Sequence, residues 1–228
     1  MLRVVFCILT IISAPFTARP ALSDVDDSVR ILPSATVRPV ARPTEMPTTQ
    51  WDHRPRASRW TSAAMSALAQ HGAPLTKVVP ADIGDWCPGY VSAGPSQRRA
   101  FWTGFLSTLA KYESTHRADA VGGGGLWYGL LQILPATARG YGCRARSGDA
   151  LKDGAANLSC AIRIMAATVP RDGVIALQGA RLGGVAADWG PMRSARKRAE
   201  MANWLRGQSY CAITRSLRPK ARPVPYAG

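Results

Sequence analysis

Glutamate and histidine are both scarce in this chain. Among 228 residues there are three glutamates, Glu45, Glu113 and Glu200, and three histidines. Glu113 and His116 form a Glu-x-x-His pattern, but a di-iron site of that kind needs two such motifs and two further glutamates. The composition therefore excludes this class of metal centre.

A long apolar segment is also lacking. The chain begins Met1-Leu2-Arg3, continues with an apolar run over residues 4–12, and then has small residues and proline up to Ala21. The run is shorter than the roughly 20 residues of a membrane-spanning helix, and its basic start and small-residue exit are typical of a signal peptide. We predict a cleaved signal peptide over residues 1–23 and a periplasmic or secreted bacterial protein, with an uncleaved anchor as the alternative.

Cys-x-x-Cys pairs are absent from the five cysteines. Cys7 lies inside the apolar run without the small residues that precede an acylated cysteine, so we do not expect a lipoprotein. Cleavage leaves four cysteines, and an even number in an exported chain favours two disulfides over a zinc site, whose usual spacings are missing. We expect no metal or cofactor. Of three possible pairings, the favoured one is Cys143–Cys160, which closes a local loop, with Cys87–Cys211, which joins the start of the domain to its end.

Apolar periodicity is weak at both ends of the chain. Residues 24–57 contain five prolines and predict a disordered Pro-rich leader, and residues 214–228 predict a basic Pro-rich tail. One folded domain is thus predicted over residues 58–213, and no internal repeat interrupts it.

The predicted domain is mainly α. No segment alternates like a strand for long, and the glycines of residues 122–129 favour a loop or small hairpin rather than a helix. Residues 74–95, rich in proline and glycine, predict irregular backbone. The apolar spacing predicts helices over 58–71, 96–112 (capped by Ser96), a short segment from Pro135, 158–169 and 194–205.

Glu113 lies at the C-terminal end of the most apolar predicted helix. The helix dipole disfavours negative charge there, and burial would raise the pKa of the carboxyl further. A general acid needs a raised pKa to keep its proton near neutral pH. A solvated charge at a helix end is the alternative, and position alone favours that alternative.

The residues that follow Glu113 change this balance. Glu113-Ser114 is followed by Gly-Leu-Leu-Gln-Ile over 129–133, Pro-Ala-Thr-Ala over 135–138, Tyr-Gly-Cys over 141–143, and Asn157-Leu158. This series, over roughly residues 98–170, resembles the catalytic domain of the soluble lytic transglycosylases in the lysozyme-like superfamily. The resemblance implies a lysozyme-like helical domain that cleaves the β-1,4 bond between N-acetylmuramic acid and N-acetylglucosamine in peptidoglycan.

Glu113 would then be the sole catalytic acid and afterwards the base, and the products would carry a 1,6-anhydro ring. Ser114 and Gln132 would orient the sugar and the glutamate, while Trp127 and Tyr128 stack on sugar rings or pack in the core. The predicted substrate-binding residues are Ser114, Tyr128, Leu131, Gln132, Asn157 and Trp189.

The chain departs from the family pattern at two places. Leu131 stands where the family usually has Met, and residues 187–191 (Ala-Asp-Trp-Gly-Pro) stand where it usually has Ala-Tyr-Asn-x-Gly, whose tyrosine bonds near the catalytic glutamate. Trp189 would supply a stacking face instead, and Asp188 or Asp119 is a candidate second carboxylate. A hydrolysing muramidase and a non-catalytic peptidoglycan-binding scaffold on the same fold therefore remain alternatives.

Basic residues exceed acidic ones by 15 charges. Several lie on or just before the last predicted helix and in the tail, which favours anionic partners such as envelope surfaces, with a merely solvated basic face as the alternative. The signal peptide and paired cysteines disfavour nucleic acid. We expect a monomer that binds peptidoglycan glycan strands.

Overall fold

Helices make up most of residues 46–213, the part of the chain that the computed structural model describes. The predicted mainly α class is confirmed, and no helix in this range is long and apolar enough to cross a bilayer. The predicted signal peptide, residues 24–45 of the predicted leader and the predicted tail lie outside the described residues. The helices are α1 (Ala57–Ala69), α2 (Ala73–Lys77), α3 (Ile83–Trp86), α4 (Pro95–Ser114), α5 (Pro135–Gly140), α6 (Gly148–Leu151), α7 (Gly154–Asp172), α8 (Val185–Asp188) and α9 (Ala195–Arg206).

Two short antiparallel hairpins complete these elements. The first pairs β1 (Val121–Gly122) with β2 (Trp127–Tyr128), and the second pairs β3 (Leu177–Gln178) with β4 (Arg181–Leu182). The first hairpin lies where the glycine run predicted a loop or small hairpin.

Helix α4 forms the centre of the core. Every residue from 100 to 110 is buried, so α4 has neighbours on all sides, among them α1, α2 and α9. The helix begins at Pro95 after Gly94, whose N–H donates to the Gln97 side chain at 3.2 Å. Ser96, predicted as the cap, is therefore the second helical residue. The helix extends two residues beyond its predicted end, which places Glu113 in its last turn.

The predicted start of the folded domain is wrong. Residues 46–57 were assigned to the disordered leader, but Trp51 is fully buried and its indole N–H donates to the Thr61 hydroxyl at 2.9 Å. The Gln50 N–H donates to Ser107 of α4 at 2.9 Å. This segment packs as a strap along the core because the Trp51 side chain is buried there, which composition alone does not reveal.

The region predicted to be irregular contains α2, α3 and a 3-10 turn at Pro88–Tyr90. Its prolines and glycines limit the length of each element rather than preventing helices. The Asp82 carboxylate accepts the N–H groups of Ile175, Ala176 and Leu177 at 2.7–3.1 Å, which fixes the end of α7 to this region. The two disulfides are the predicted pairs, Cys87–Cys211 and Cys143–Cys160.

Candidate active site

Glu113 lies in the last turn of α4 with its side chain largely buried. Burial raises the pKa of its carboxyl from an ordinary 4.5 to about 7, and Lys197 of α9 opposes that rise. Within residues 46–213 no hydrogen bond or ion pair holds the carboxylate. A large share of the group therefore keeps its proton near neutral pH, and the group is available to a ligand.

The backbone turns sharply directly after Glu113. Ser114 closes the helix, and Thr115 and His116 both have left-handed φ angles, 51° and 58°. Such angles cost free energy in residues other than glycine. The His116 ring N–H donates to the Ser107 carbonyl at 3.0 Å, and the Ser114 hydroxyl donates to the Leu130 carbonyl at 2.9 Å. These bonds hold the turn and fasten the 129–133 loop to the end of α4.

The β1–β2 hairpin continues from this turn. Its glycine run permits the left-handed backbone of residues 123–125, and a side chain at Gly123 would collide with the Trp127 ring, which packs over it. Trp127 is 44% exposed, and Val121 and Leu126 are similarly exposed. The hairpin thus presents an aromatic and apolar surface, which is the kind of surface on which sugar rings pack.

The side chain of Asn157 in α7 holds the 129–133 loop through hydrogen bonds. Its side chain accepts the Leu131 N–H at 2.9 Å and donates to the carbonyls of Tyr128 and Leu151 at 2.9 and 3.0 Å. A side chain at Gly129, whose φ is 82°, would collide with both Leu151 and Asn157. The loop therefore needs glycine and asparagine at these positions for steric and hydrogen-bonding reasons.

Trp189 also holds this loop, through a hydrogen bond from its side chain. Its ring is 5% exposed, and its indole N–H donates to the Leu131 carbonyl at 3.0 Å. The interpretation of Trp189 as a sugar-stacking face is wrong in this conformation, because the ring is enclosed. The residue connects the segment after α8 to the loop beside Glu113.

The predicted substrate-binding residues converge on one loop, and most of them are enclosed. Leu131 and Asn157 are fully buried and Ser114 is nearly so. Their side chains hold the loop in this structure, and direct contact of these three residues with a glycan stays a prediction. The buried environment follows from the packing of α7 and α8 against the loop.

Tyr128 and Gln132 are partly exposed. The backbone of Gln132 has a φ of 47°, and its side-chain amide donates to the carbonyls of Ala120 and Gly129. The Tyr128 hydroxyl donates to the Gly125 carbonyl at 2.6 Å. Tyr128 keeps an open edge beside Lys152, whose Nζ lies 5.9 Å from the ring centre.

Helix α9 supplies groups that the sequence analysis did not assign to the site. Tyr112, the residue before Glu113, donates from its hydroxyl to Glu200, which also pairs with Arg196 at 2.6 Å. The Nζ atoms of Lys111 and Lys197 lie 5.5 and 5.3 Å from the Tyr112 ring centre. No signal in the sequence joins α4 to α9, because these residues meet only through helix packing.

The two candidate second carboxylates lie in other surroundings. Asp119 is exposed. Burial raises the pKa of Asp188, and the charged groups that act on it are Arg171, Asp172 and Arg193 rather than Glu113. No carboxylate is among the groups that shift the pKa of Glu113. Across the described residues no cluster of three or more metal-ligating side chains occurs.

Known proteins resemble this chain in sequence and fold. The model of the "Transglycosylase SLT domain" family matches residues 91–176. Three solved structures of the protein titled Bd0314 DslA, a wild-type form and two variants in which a glutamate is replaced by glutamine, are each 31% identical to this chain. They cover 73% of this chain and 99% of their own, with TM-scores of 0.64–0.65. No curated protein matches the chain significantly. The chain therefore belongs to the SLT transglycosylase family, lysozyme-like in fold and of the lytic transglycosylase type that acts on peptidoglycan.

Proposed function

We propose that the protein is an exported lytic transglycosylase that cleaves the β-1,4 bond between N-acetylmuramic acid and N-acetylglucosamine with Glu113 as its one catalytic carboxyl group. The observation that carries this proposal is the state of Glu113: a largely buried acid at the end of α4, with a pKa of about 7 and no hydrogen bond or ion pair to a described residue.

The surroundings of Glu113 favour a single carboxylate. Ordinary retaining and inverting glycosidases use two carboxyl groups at set separations, and a second carboxylate nearby would raise the pKa of the first. Burial is the only influence that raises the pKa of Glu113.

The chemistry then needs one proton donor and one internal nucleophile. The Glu113 carboxyl donates its proton to the glycosidic oxygen while the bond from that oxygen to C1 of the muramic acid breaks. The substrate's N-acetyl group supports the developing positive charge at C1. The Glu113 carboxylate then takes the proton of the C6 hydroxyl as O6 bonds to C1, which closes a 1,6-anhydro ring without water. An attack within one molecule gains from a high effective molarity.

Export is supported by the predicted signal peptide over residues 1–23 and by the two disulfides, since such bonds persist in oxidising compartments. The positively charged surface fits an envelope rich in anionic groups.

The test is digestion of purified peptidoglycan sacculi by the mature protein, with Glu113→Gln as the inactive variant and Asp85→Asn, at an exposed position outside the site, as the matched control. We expect the wild type and the Asp85→Asn variant to release fragments lighter, by the mass of one water molecule, than hydrolytic fragments. Glu113→Gln should release none. The loss expected for a general acid is at least about a hundredfold.

Other products would identify the alternatives. Reducing-end fragments lost in Glu113→Gln would indicate a muramidase and contradict the transglycosylase step. Sacculi that are bound but left intact by the wild type would indicate a non-catalytic wall-binding protein.

A further inference from the structure

A concave surface lies between α1 and α7. It is a groove of about 700 Å³, open to solvent, and none of the residues that line it belongs to the candidate active site. The Cys143–Cys160 disulfide forms part of the wall and anchors the segment that carries Arg144. The groove is thus a separate feature of the fold.

Small side chains on both helices create the groove. Helix α1 contributes Ala63, Ser66 and Ala67, and α7 contributes Ala155 and Ala156. Larger residues at these positions would fill the space between the helices, as they do in an ordinary close-packed contact. The alanines of both helices therefore give the groove a floor of small apolar groups, with room for small side chains such as methyl groups.

Positive charge surrounds this floor. Arg144 and Arg163 line the groove, and no acidic residue does. Neither arginine forms an ion pair with any residue in the 46–213 range, whereas Arg59, close by on α1, pairs with Asp153. The His71 ring N–H is already used by the Ser159 carbonyl at 3.0 Å. Two guanidinium groups thus remain for carboxylates, which they can bind through two parallel hydrogen bonds each.

We propose that this groove binds a short acidic peptide, the stem peptide of peptidoglycan, with its carboxylates on Arg144 and Arg163 and its alanine methyl groups on the apolar floor. The choice of a stem peptide rests on the proposed function, which supplies the wall as substrate. The pairing of free arginines with small apolar residues matches a peptide of alternating alanine and diacid character. A polymer of phosphates has no small apolar side chains that would pack on the alanine floor.

The test is binding of a soluble stem tetrapeptide, L-Ala-γ-D-Glu-diaminopimelate-D-Ala, to the full mature protein by calorimetry in the Glu113→Gln background. We expect the double variant Arg144→Gln/Arg163→Gln to weaken binding at least about tenfold, as the loss of charge-assisted hydrogen bonds implies. A tetrapeptide whose carboxylates are amidated should bind the parent protein as weakly as the free acid binds the double variant.

Two further variants distinguish binding in the groove from a general effect of positive charge on the peptide. Arg56→Gln/Arg99→Gln removes two positive charges elsewhere and should leave the affinity within about twofold. Ser66→Trp fills the groove from an exposed position of α1 without changing charge, and should weaken binding as much as the arginine variant. Equal binding by all variants, or an equal loss in the Arg56/Arg99 control, would overturn the proposal.

The assay also separates this inference from the proposed function, because it measures binding without cleavage. Intact sacculi together with peptide binding that depends on Arg144 and Arg163 would refute the transglycosylase activity and leave the groove. Cleaved sacculi without such peptide binding would support the transglycosylase activity and refute the proposal for the groove.

Discussion

The Asn157 side chain and the Leu131 backbone N–H form a buried hydrogen bond of 2.9 Å that joins α7 to the loop beside Glu113. The same side chain donates to the carbonyls of Tyr128 and Leu151. One amide thus satisfies the Leu131 N–H and the Leu151 carbonyl, and it adds a second bond to the Tyr128 carbonyl, which also accepts the Ile133 N–H. The position of the loop that carries Gln132 depends on this amide.

Replacement of Asn157 tests this support. Asn157→Ala leaves the Leu131 N–H and the Leu151 carbonyl without partners and should lower the free energy of unfolding by about 2 kcal/mol or more, measured in urea. The exposed Asn203→Ala variant should change it by no more than about 0.5 kcal/mol. Similar small losses in both variants would mean that the loop does not depend on this amide.

The burial of Glu113 predicts how stability depends on pH. Its pKa rises from 4.5 to about 7 on folding, so the folded state holds a proton that the unfolded state releases between these values. The stabilisation is fully present below pH 4.5 and is lost as the pH rises through about 7, by on the order of 3 kcal/mol. Urea unfolding at pH 5 and pH 8 measures it.

Glu113→Gln serves as the reference, because glutamine cannot titrate. The wild type should lose more stability than this variant between pH 5 and pH 8. Parallel losses in the two proteins would show that Glu113 is not the group responsible.

Lys197 should control the pH range of activity. It lowers the pKa of Glu113, so Lys197→Met should raise that pKa further above its ordinary value. The general acid would then keep its proton to higher pH, and the alkaline limb of kcat/KM should move to higher pH. Lys152→Met, which removes an exposed charge paired with Asp149, should leave the limb in place. An alkaline limb that moves to lower pH in Lys197→Met would contradict the conclusion that Lys197 lowers the pKa of Glu113.

Two tryptophans near the site should differ in effect. Trp189→Phe removes the donor to the buried Leu131 carbonyl and should lower the free energy of unfolding by about 1–3 kcal/mol. Trp127→Ala, at an exposed position, should leave stability nearly unchanged and raise KM for glycan strands roughly three- to tenfold through lost stacking. Thermal unfolding and steady-state kinetics of both variants check this. A loss of stability in Trp127→Ala together with a raised KM in Trp189→Phe would contradict these two roles.

The disulfides should contribute unequally. Cys87–Cys211 spans 124 residues and Cys143–Cys160 spans 17, and a larger loop restricts the unfolded chain more. Replacing both cysteines of a pair by alanine should cost about 5 kcal/mol for the first and about 3 kcal/mol for the second. Unfolding of the two double variants in urea compares them, and a larger loss for the local pair would contradict the entropic account.

Local patterns in the sequence were enough to predict the mainly α class, the glycine hairpin, the disulfide pairs and the location of Glu113 at a helix end. Each of these depends on residues near one another in the chain, or on a small set of cysteines with few possible pairings. The helix of residues 158–169 was predicted from apolar spacing alone and lies within α7.

Tertiary packing decided the rest. Trp51 turned part of a predicted disordered leader into a strap on the core, and Trp189 became a buried donor rather than a sugar-stacking face. Lys197 reached the surroundings of Glu113 only because α9 packs against α4. Burial and charge at a site depend on neighbours that are distant in sequence, so composition and spacing predict a candidate acid but not the groups that set its pKa.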